Sequence, residues 1–357
     1  MNVAISINGE GRGHISRAKA LAEGLGARHG IVFFAPTHFE AELRREFPSA
    51  GYVDIPYHGF AQRGFSLDYG KTAAKNASVV LSAIATQASL ARELSRREID
   101  AVISDFEPFV PRAAKATGIP VLQLNHPGVV LRAGVSNAAH LLSRAVALYM
   151  MGMSDKTVIC SFFGGDVGPI LRRELREATV TRGEHIVVYV KERYREIIKP
   201  ALDSVGPGRF RLFPDASANY AESLASAAAL VAPAGHQSIS EAIALGKPAF
   251  VIPVKGQYEQ ELNARMLRES GCGDWAYFDD VAAKLPAFVE AIPDYARSLE
   301  RARERSAVPG SFWRCADDTD TAVGMVERFL TEAARRPDWR RVRASIPLQM
   351  ALVATPA

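Results

Sequence analysis

Cysteine is scarce. The chain has 357 residues and only 3 cysteines, Cys160, Cys272 and Cys315. They lie far apart, no pair has metal-ligand spacing, and an odd number does not build a disulfide framework. That excludes a stapled secreted scaffold and points to a reducing, cytoplasmic setting. Long apolar runs are missing too. The longest, AAHLLSRAVALYMMGM, carries His140 and Arg144 and is short for a bilayer span. No secretory leader is expected at the N-terminus: no basic stretch precedes the first apolar run, and Glu10, Arg12 and His14 come soon after it. A strong charge bias is also absent: 43 basic residues stand against 39 acidic ones, and a net +4 is not the dense cationic face of a nucleic-acid binder. It suits a protein that handles anionic small molecules or touches an anionic membrane. No low-complexity segment or short repeat period occurs. No convincing metal-binding cluster occurs either; the acidic run Asp317 to Asp320 precedes the last helix and reads as helix-start solvation.

What is abundant is apolar sequence in short runs. A composition of 48% hydrophobic and 23% charged residues is that of a globular protein, and the length is enough for two domains. NVAISI, IVFFAP, AVISD and VLQLN read as strands alternating with helical patterns, the arrangement of parallel βαβ units. The Gly-, Arg- and Glu-rich stretch GGDVGPILRRELREATVTRGE then reads as a connection. HIVVYV, FRLFP, ALVAPA and AFVIPV restart the alternation. The expected organisation is α/β: an N-terminal Rossmann-like domain over 1–176, a second over 177–320, and a C-terminal helix with a basic tail over 321–357, the helix packing back on the first domain. Two such domains are expected to face each other across a cleft at the carboxyl ends of their strands, where open α/β sheets bind ligands.

The first strand ends in NGEGRGH, with glycines at 9, 11 and 13 and a histidine at 14. Glycines let a ligand approach the backbone, and the helix after them offers unpaired N–H groups to an anion. A nicotinamide-binding fingerprint is disfavoured, because the spacing is G-x-G-x-G and the second strand ends FFAPT without a ribose-binding carboxylate. His14 adds a group that can take a proton near neutral pH. Asp105, at the end of AVISD, is the carboxylate that could orient it. A role for His14 as a mere helix cap, or as a phosphate donor, is equally compatible with these residues.

The second half carries APAGHQSISEAIALGKPAFVIPVKGQYEQELNARML from Ala232. Gly235, His236, Gln237 and Ser238 open a helix after a strand and form a second candidate anion site. Glu241, about one turn further, could accept hydrogen bonds from vicinal hydroxyls. Glu259 and Gln260 place a carboxylate and an amide at the start of the next helix. Capping or solvation accounts for any one of these residues alone.

Segment 234–264 resembles the nucleotide-binding signature of GT-B glycosyltransferases. Gly235, Ser238, Glu241-Ala242, Gly246, Pro248, Pro253, Glu259-Gln260 and Asn263-Ala264 match the pattern shared by the lipid I N-acetylglucosaminyltransferase, UDP-glucuronosyltransferase and macrolide-glycosyltransferase families. The opening Gly loop and DAVISDFEPFVPRAAKATGIPVLQL also look like theirs. The resemblance implies a GT-B fold and an inverting transferase that uses a nucleotide-diphosphate sugar, UDP-linked, without cofactor or metal. It implies His14 as general base with Asp105 as its partner. Gly11, Arg12 and Gly13 would lie near the diphosphate or acceptor, and the Phe213 backbone at the nucleobase. Glu241 would hold the ribose, with Glu259, Gln260 and Asn263 at the donor sugar. Where relatives place Gly-Ser, this chain has VYVKERY, so Lys191 or Arg193 would supply charge near the phosphates.

A nucleotide-sugar epimerase on the same fold, and a nucleotide-binding protein without catalysis, are the alternative readings. The segments YHGFAQRGFSLDYGKT and NHPGVVLRAGVSNAAHLLSRAVALYMMG are expected to contact an acceptor, and the apolar part of the second hints at a lipid-linked or aromatic one, against simple buried packing. The tail RRPDWRRVR holds Arg335, Arg336, Arg340, Arg341 and Arg343 against Asp338. It reads either as a solvated basic end or as a peripheral contact with anionic lipid.

Overall fold

The computed structural model describes residues 1–134, 138–206, 208–308 and 310–335. The chain divides into two compact units. One comprises residues 1–61, 68–159 and 319 onwards; the other comprises 62–67 and 160–318.

The first unit opens with β1 (Asn2–Ile7), α1 (Gly13–Leu25), β2 (Gly30–Ala35), α2 (Glu40–Glu46) and β3 (Gly51–Asp54). A hairpin of β4 (Gln62–Arg63) and β5 (Ser66–Leu67) leaves this sequence to join the second unit. The first unit resumes with α3 (Tyr69–Leu81), α4 (Ala83–Arg96), β6 (Ala101–Asp105), α5 (Phe109–Ala116), β7 (Val121–Asn125), α6 (Ala138–Met151) and β8 (Lys156–Ile159). Six parallel strands lie in the order β3-β2-β1-β6-β7-β8. β1 and β6 are central and almost wholly buried, which is why both read as unbroken apolar runs. The order reverses between them, so the loops after β1 and β6 diverge at a switch point. The register pairs Ile7 with Asp105 and sets the end of the Gly loop beside that carboxylate.

The second unit runs through α7 (Arg173–Arg176), β9 (Ile186–Tyr189), α8 (Arg195–Asp203), β10 (Phe210–Phe213), α9 (Tyr220–Ala225), β11 (Ala229–Pro233), α10 (His236–Ala244), β12 (Ala249–Ile252), α11 (Tyr258–Glu269), β13 (Gly273–Trp275), α12 (Val281–Glu290) and α13 (Ile292–Ser306). Its five parallel strands lie in the order β10-β9-β11-β12-β13, with the switch point between β9 and β11. Its core gathers Ile186, Val188, Val231, Phe250 and Phe288 between sheet and helices.

Two boundaries differ from the sequence expectation. The division falls after Ile159, not after Arg176. The stretch 164–184, expected to be a connection, is not a linker but part of the second unit. Ser161 N–H bonds Val167 O at 2.9 Å, Gly164 N–H bonds Phe312 O at 2.7 Å, and Gly168 N–H bonds Asp318 at 2.7 Å, so its backbone is satisfied inside the second unit. The segment YHGFAQRGFSLDYGKT is also split. Its hairpin bonds Lys255 through Leu67 N–H and Phe65 O, at 2.9 and 3.0 Å, and Phe65 stacks on Phe278. The acidic run serves the helix start only in part: Asp320 lies in the first turn of the last helix, whereas Asp317 pairs with Arg176 at 2.8 Å and Asp318 accepts from Gly168.

The last helix, α14 (Thr319–Ala334), belongs to the first unit. It lies so close to α1 that a Cβ on Gly24 would stand 2.6 Å from Val323 Cγ2. Glu327 pairs with Arg28 at 2.8 Å and with His29 at 3.1 Å. Val326, Phe329 and Leu330 are buried. Arg335 comes directly after this helix, while the rest of the basic tail, with Arg336, Arg340, Arg341 and Arg343, lies outside the described residues. Because Phe329 is 4% exposed, Phe329→Ala should destabilise the first unit by about 3–5 kcal/mol, read as a lower urea midpoint. A midpoint equal to wild type would show that the helix adds nothing to the unit's stability.

Candidate active site

In the first unit, the Gly loop turns the chain from β1 into α1. Gly11 has φ +81°, with nothing within 4 Å of a Cβ placed there, so the turn's left-handed geometry alone calls for glycine. No side chain caps α1, which leaves its first N–H groups to a ligand. Gly13 begins the helix. Arg12 is exposed and turned away: its guanidinium pairs with Glu42 at 2.6 Å.

His14 is 8% exposed and Asp105 is 5% exposed. His14 Nδ1 lies 2.8 Å from Asp105 Oδ1. Arg17, which nothing in the sequence singles out, donates from Nε to Asp105 Oδ2 at 2.7 Å and from Nη2 to Oδ1 at 3.1 Å. Burial pushes the Asp105 carboxyl up, but the charges of Arg17 and His14 outweigh it and hold the group below its ordinary range. Phe106, the next residue, adopts φ +57°. A bulky residue there costs on the order of 1–3 kcal/mol, and the turn sets its ring parallel to the imidazole at 6.3 Å between centroids.

Glu107 is a second residue that sequence reasoning does not find. It accepts from the backbone amides of Phe109 and Val110 and so caps α5 from inside the core. The available signal is a carboxylate two residues before a helix, E-P-F-V.

In the second unit, Gly235 precedes α10, again with no side-chain cap and open space where a Cβ would stand. Ser238 is half-buried on its first turn. Glu241 is 4% exposed. Gln237 Nε2 donates to Glu241 Oε1 at 3.1 Å and to Ile170 O at 3.0 Å. Tyr220 OH lies 3.5 Å from Glu241 Oε2, and Arg172 Nε lies 3.9 Å from Oε1. Burial raises the Glu241 carboxyl above its usual range, with Arg172 and Gln237 opposing it. His236 is turned inward, its Nε2 accepting from Phe162 N–H at 3.2 Å. The Phe213 carbonyl accepts from Val190 N–H at 3.1 Å, and its ring packs edge-on against Tyr220.

At α11, Gln260 Oε1 accepts from Val254 N–H at 3.0 Å. Asn263 is fully buried; its Nδ2 reaches Ala234 O at 3.1 Å and Glu259 Oε1 at 3.4 Å, so it ties the helix to the end of β11 and steadies Glu259. Lys191 is exposed just after β9. The Arg193 side chain lies outside what is described. The structure therefore gathers His14 and Asp105 at one switch point. It gathers Gly235 to Glu241 at the other, beside the start of α11. Among the described residues, no group of three or more His, Cys, Asp or Glu could hold a metal ion, and no helix is long and apolar enough to cross a membrane.

Residues 1–293 match the family described as Glycosyl transferase family 1, and the chain belongs to it. It is a glycosyltransferase. The UDP-N-acetylglucosamine–N-acetylmuramyl-(pentapeptide) pyrophosphoryl-undecaprenol N-acetylglucosamine transferase of Leifsonia xyli subsp. xyli is 27% identical over 321 residues, covering 84% of this chain and 81% of that protein. The solved glycotransferase of kitacinnamycin matches with TM-score 0.64 at 16% identity, over 92% of this chain and 98% of that one. MurG of Acinetobacter baumannii matches with TM-score 0.56 at 16% identity, over 92% and 99%. These structures share the GT-B fold with this chain, two Rossmann-like α/β units in one polypeptide.

Glu107 gives the first unit a pH dependence. Burial pushes its carboxyl from 4.5 to about 7. A group raised in the folded state supports stability below its unfolded value and loses that support as pH climbs through the folded one. Between pH 5 and 8 the wild type should lose on the order of 3 kcal/mol from this group, at about 1.4 kcal/mol per unit. Glu107→Gln should flatten that slope in urea unfolding at stepped pH. An identical slope in both proteins would show that Glu107 titrates normally.

Proposed function

We propose that this glycosyltransferase is inverting and transfers a sugar from a UDP-linked donor to an acceptor hydroxyl, with His14 as general base. The observation that carries the reading is the buried contact of His14 Nδ1 with Asp105 at 2.8 Å, at the switch point of the first sheet. With Nδ1–H bound to the carboxylate, Nε2 takes the proton of the acceptor hydroxyl. The acceptor oxygen forms a bond to the anomeric carbon on the face opposite the diphosphate. The bond from that carbon to the diphosphate oxygen breaks, and UDP leaves with the electron pair. The N-terminus of α10 and Lys191 stabilise the leaving charge, a role that needs no metal. Glu241 holds the ribose hydroxyls, and Glu259 and Gln260 the donor sugar. The similarity to a transferase whose name specifies UDP-N-acetylglucosamine supports a uridine donor.

His14→Ala should lower transfer by on the order of 10²–10⁴, the worth of a positioned base, while UDP affinity by titration calorimetry stays close to wild type. Transfer at the wild-type rate would sink the assignment.

A second feature supports a lipid-linked acceptor and peripheral contact with anionic membrane. Leu141, Leu142 and Leu148 on α6 are 60%, 49% and 61% exposed, and Leu81 and Ile84 are 86% and 74% exposed. The apolar run read from the sequence is thus exposed along one part, while its Ala147, Met150 and Met151 are buried, and exposed apolar patches mark binding sites. Leu141→Asp with Leu148→Asp should abolish co-sedimentation with anionic vesicles and raise KM for a polyprenyl-linked acceptor. Sedimentation equal to wild type would remove this surface from the account.

A further inference from the structure

The proton transfer and displacement make no use of Arg17, yet its side chain is 4% exposed and lies against both partners of the dyad. His14 and Arg17 stand three residues apart on α1, hence on one face. Arg17 grips Asp105 at two points, Nε to Oδ2 at 2.7 Å and Nη2 to Oδ1 at 3.1 Å. The same Nη2 lies 3.1 Å from His14 Nδ1, and Asp105 Oδ1 lies 2.8 Å from that atom. Nδ1 therefore faces a donor and an acceptor and can satisfy only one of them.

We propose that Arg17 is a positioning residue: by clamping both carboxylate oxygens of Asp105, it fixes His14 in the tautomer that carries Nδ1–H and leaves Nε2 unprotonated. This rests on the reading of His14 as the base. The argument is one of donor and acceptor supply. A carboxylate held ionised can only accept, so the shorter contact requires hydrogen on Nδ1. Arg17 keeps Asp105 ionised in spite of its burial. The other charged groups of the loop look elsewhere: Glu10 accepts from Phe60 N–H at 3.0 Å, and Arg12 pairs with Glu42. The Phe106 ring, which lies parallel to the imidazole, is apolar.

The same supply argument makes Asp105→Asn a severe change. Asparagine has one oxygen. Arg17 Nε has only hydrogen to offer and claims that oxygen, so the amide NH₂ turns to His14 Nδ1 and forces the proton to Nε2. The base is then blocked by its own proton, whatever the ring's position.

The test uses the full chain with ¹⁵N-labelled histidine, His14 being assigned by the signal lost in His14→Gln. The tautomer is read from the ring nitrogens, with no acceptor or turnover required. The wild type should carry Nδ1–H. Arg17→Met should let the Nε2–H tautomer appear beside the Nδ1–H one, and Arg17→Lys should restore part of the wild-type pattern. Asp105→Asn should move the proton to Nε2. A folded Arg17→Met with the wild-type tautomer overturns the proposal. Should Arg17→Met not fold, Asp105→Asn decides: retention of Nδ1–H overturns it, and transfer of the proton to Nε2 supports it. The outcome is separable from the base assignment, since full transfer by His14→Ala would refute the base while leaving these nitrogen signals unaffected.

Discussion

A negative charge buried at the end of β6 is the constraint around which the first unit is arranged. An unpaired carboxylate at 5% exposure would protonate rather than stay charged. Asp105 stays charged because α1 delivers Arg17 and His14 to its two oxygens. That delivery depends on the strand order. β1 and β6 are neighbours with Ile7 opposite Asp105, so the chain leaving β1 must pass the carboxylate before it starts α1. The parallel register, the Gly loop and the helix start are parts of one geometric requirement.

The second unit solves a similar problem with a weaker hand. Glu241 is as buried as Asp105, but its cation, Arg172, stands 3.9 Å away and its other partners are an amide and a phenol. Desolvation therefore prevails and its carboxyl is pushed up, where that of Asp105 is pushed down. Two buried carboxylates thus differ in how firmly they hold charge. A carboxylate short of donors gains from a ligand that brings hydroxyl groups, whereas one already clamped by a guanidinium has no such need. That contrast suits Glu241 to a ligand and Asp105 to a neighbouring side chain.

The sequence makes one part of this legible and hides another, for physical reasons. Strands β1, β6, β9 and β11 are buried on both faces and so stand out as apolar runs. Glycine and histidine at the end of a strand mark the turn into α1. Arg17 gives no such sign. In ISRAKALAEGL it reads as a polar position of an amphipathic helix, and only the tertiary partner shows it to be interior. The stretch 164–184 misleads in the opposite direction, because its glycine and arginine suggest a solvated linker while its backbone bonds to the second unit. The hairpin at Gln62–Leu67 has strands of two residues, too short for any periodicity to reveal. The apolar run at α6 is visible, but whether its leucines face core or solvent is a matter of packing, which composition does not carry.

The fold and the chemistry rest on different parts of the chain. Solved structures at 16% identity keep both sheets, so the strand pattern survives almost complete replacement of side chains. Phe106 works against that pattern. Its left-handed backbone costs on the order of 1–3 kcal/mol, and an unstrained turn would serve the sheet equally well. The turn sets an aromatic ring parallel to the imidazole, 6.3 Å between centroids. Asp105 and Arg17 both meet Nδ1 of the same imidazole, so the short stretch of chain that bears the carboxylate also places the ring beside the histidine it holds.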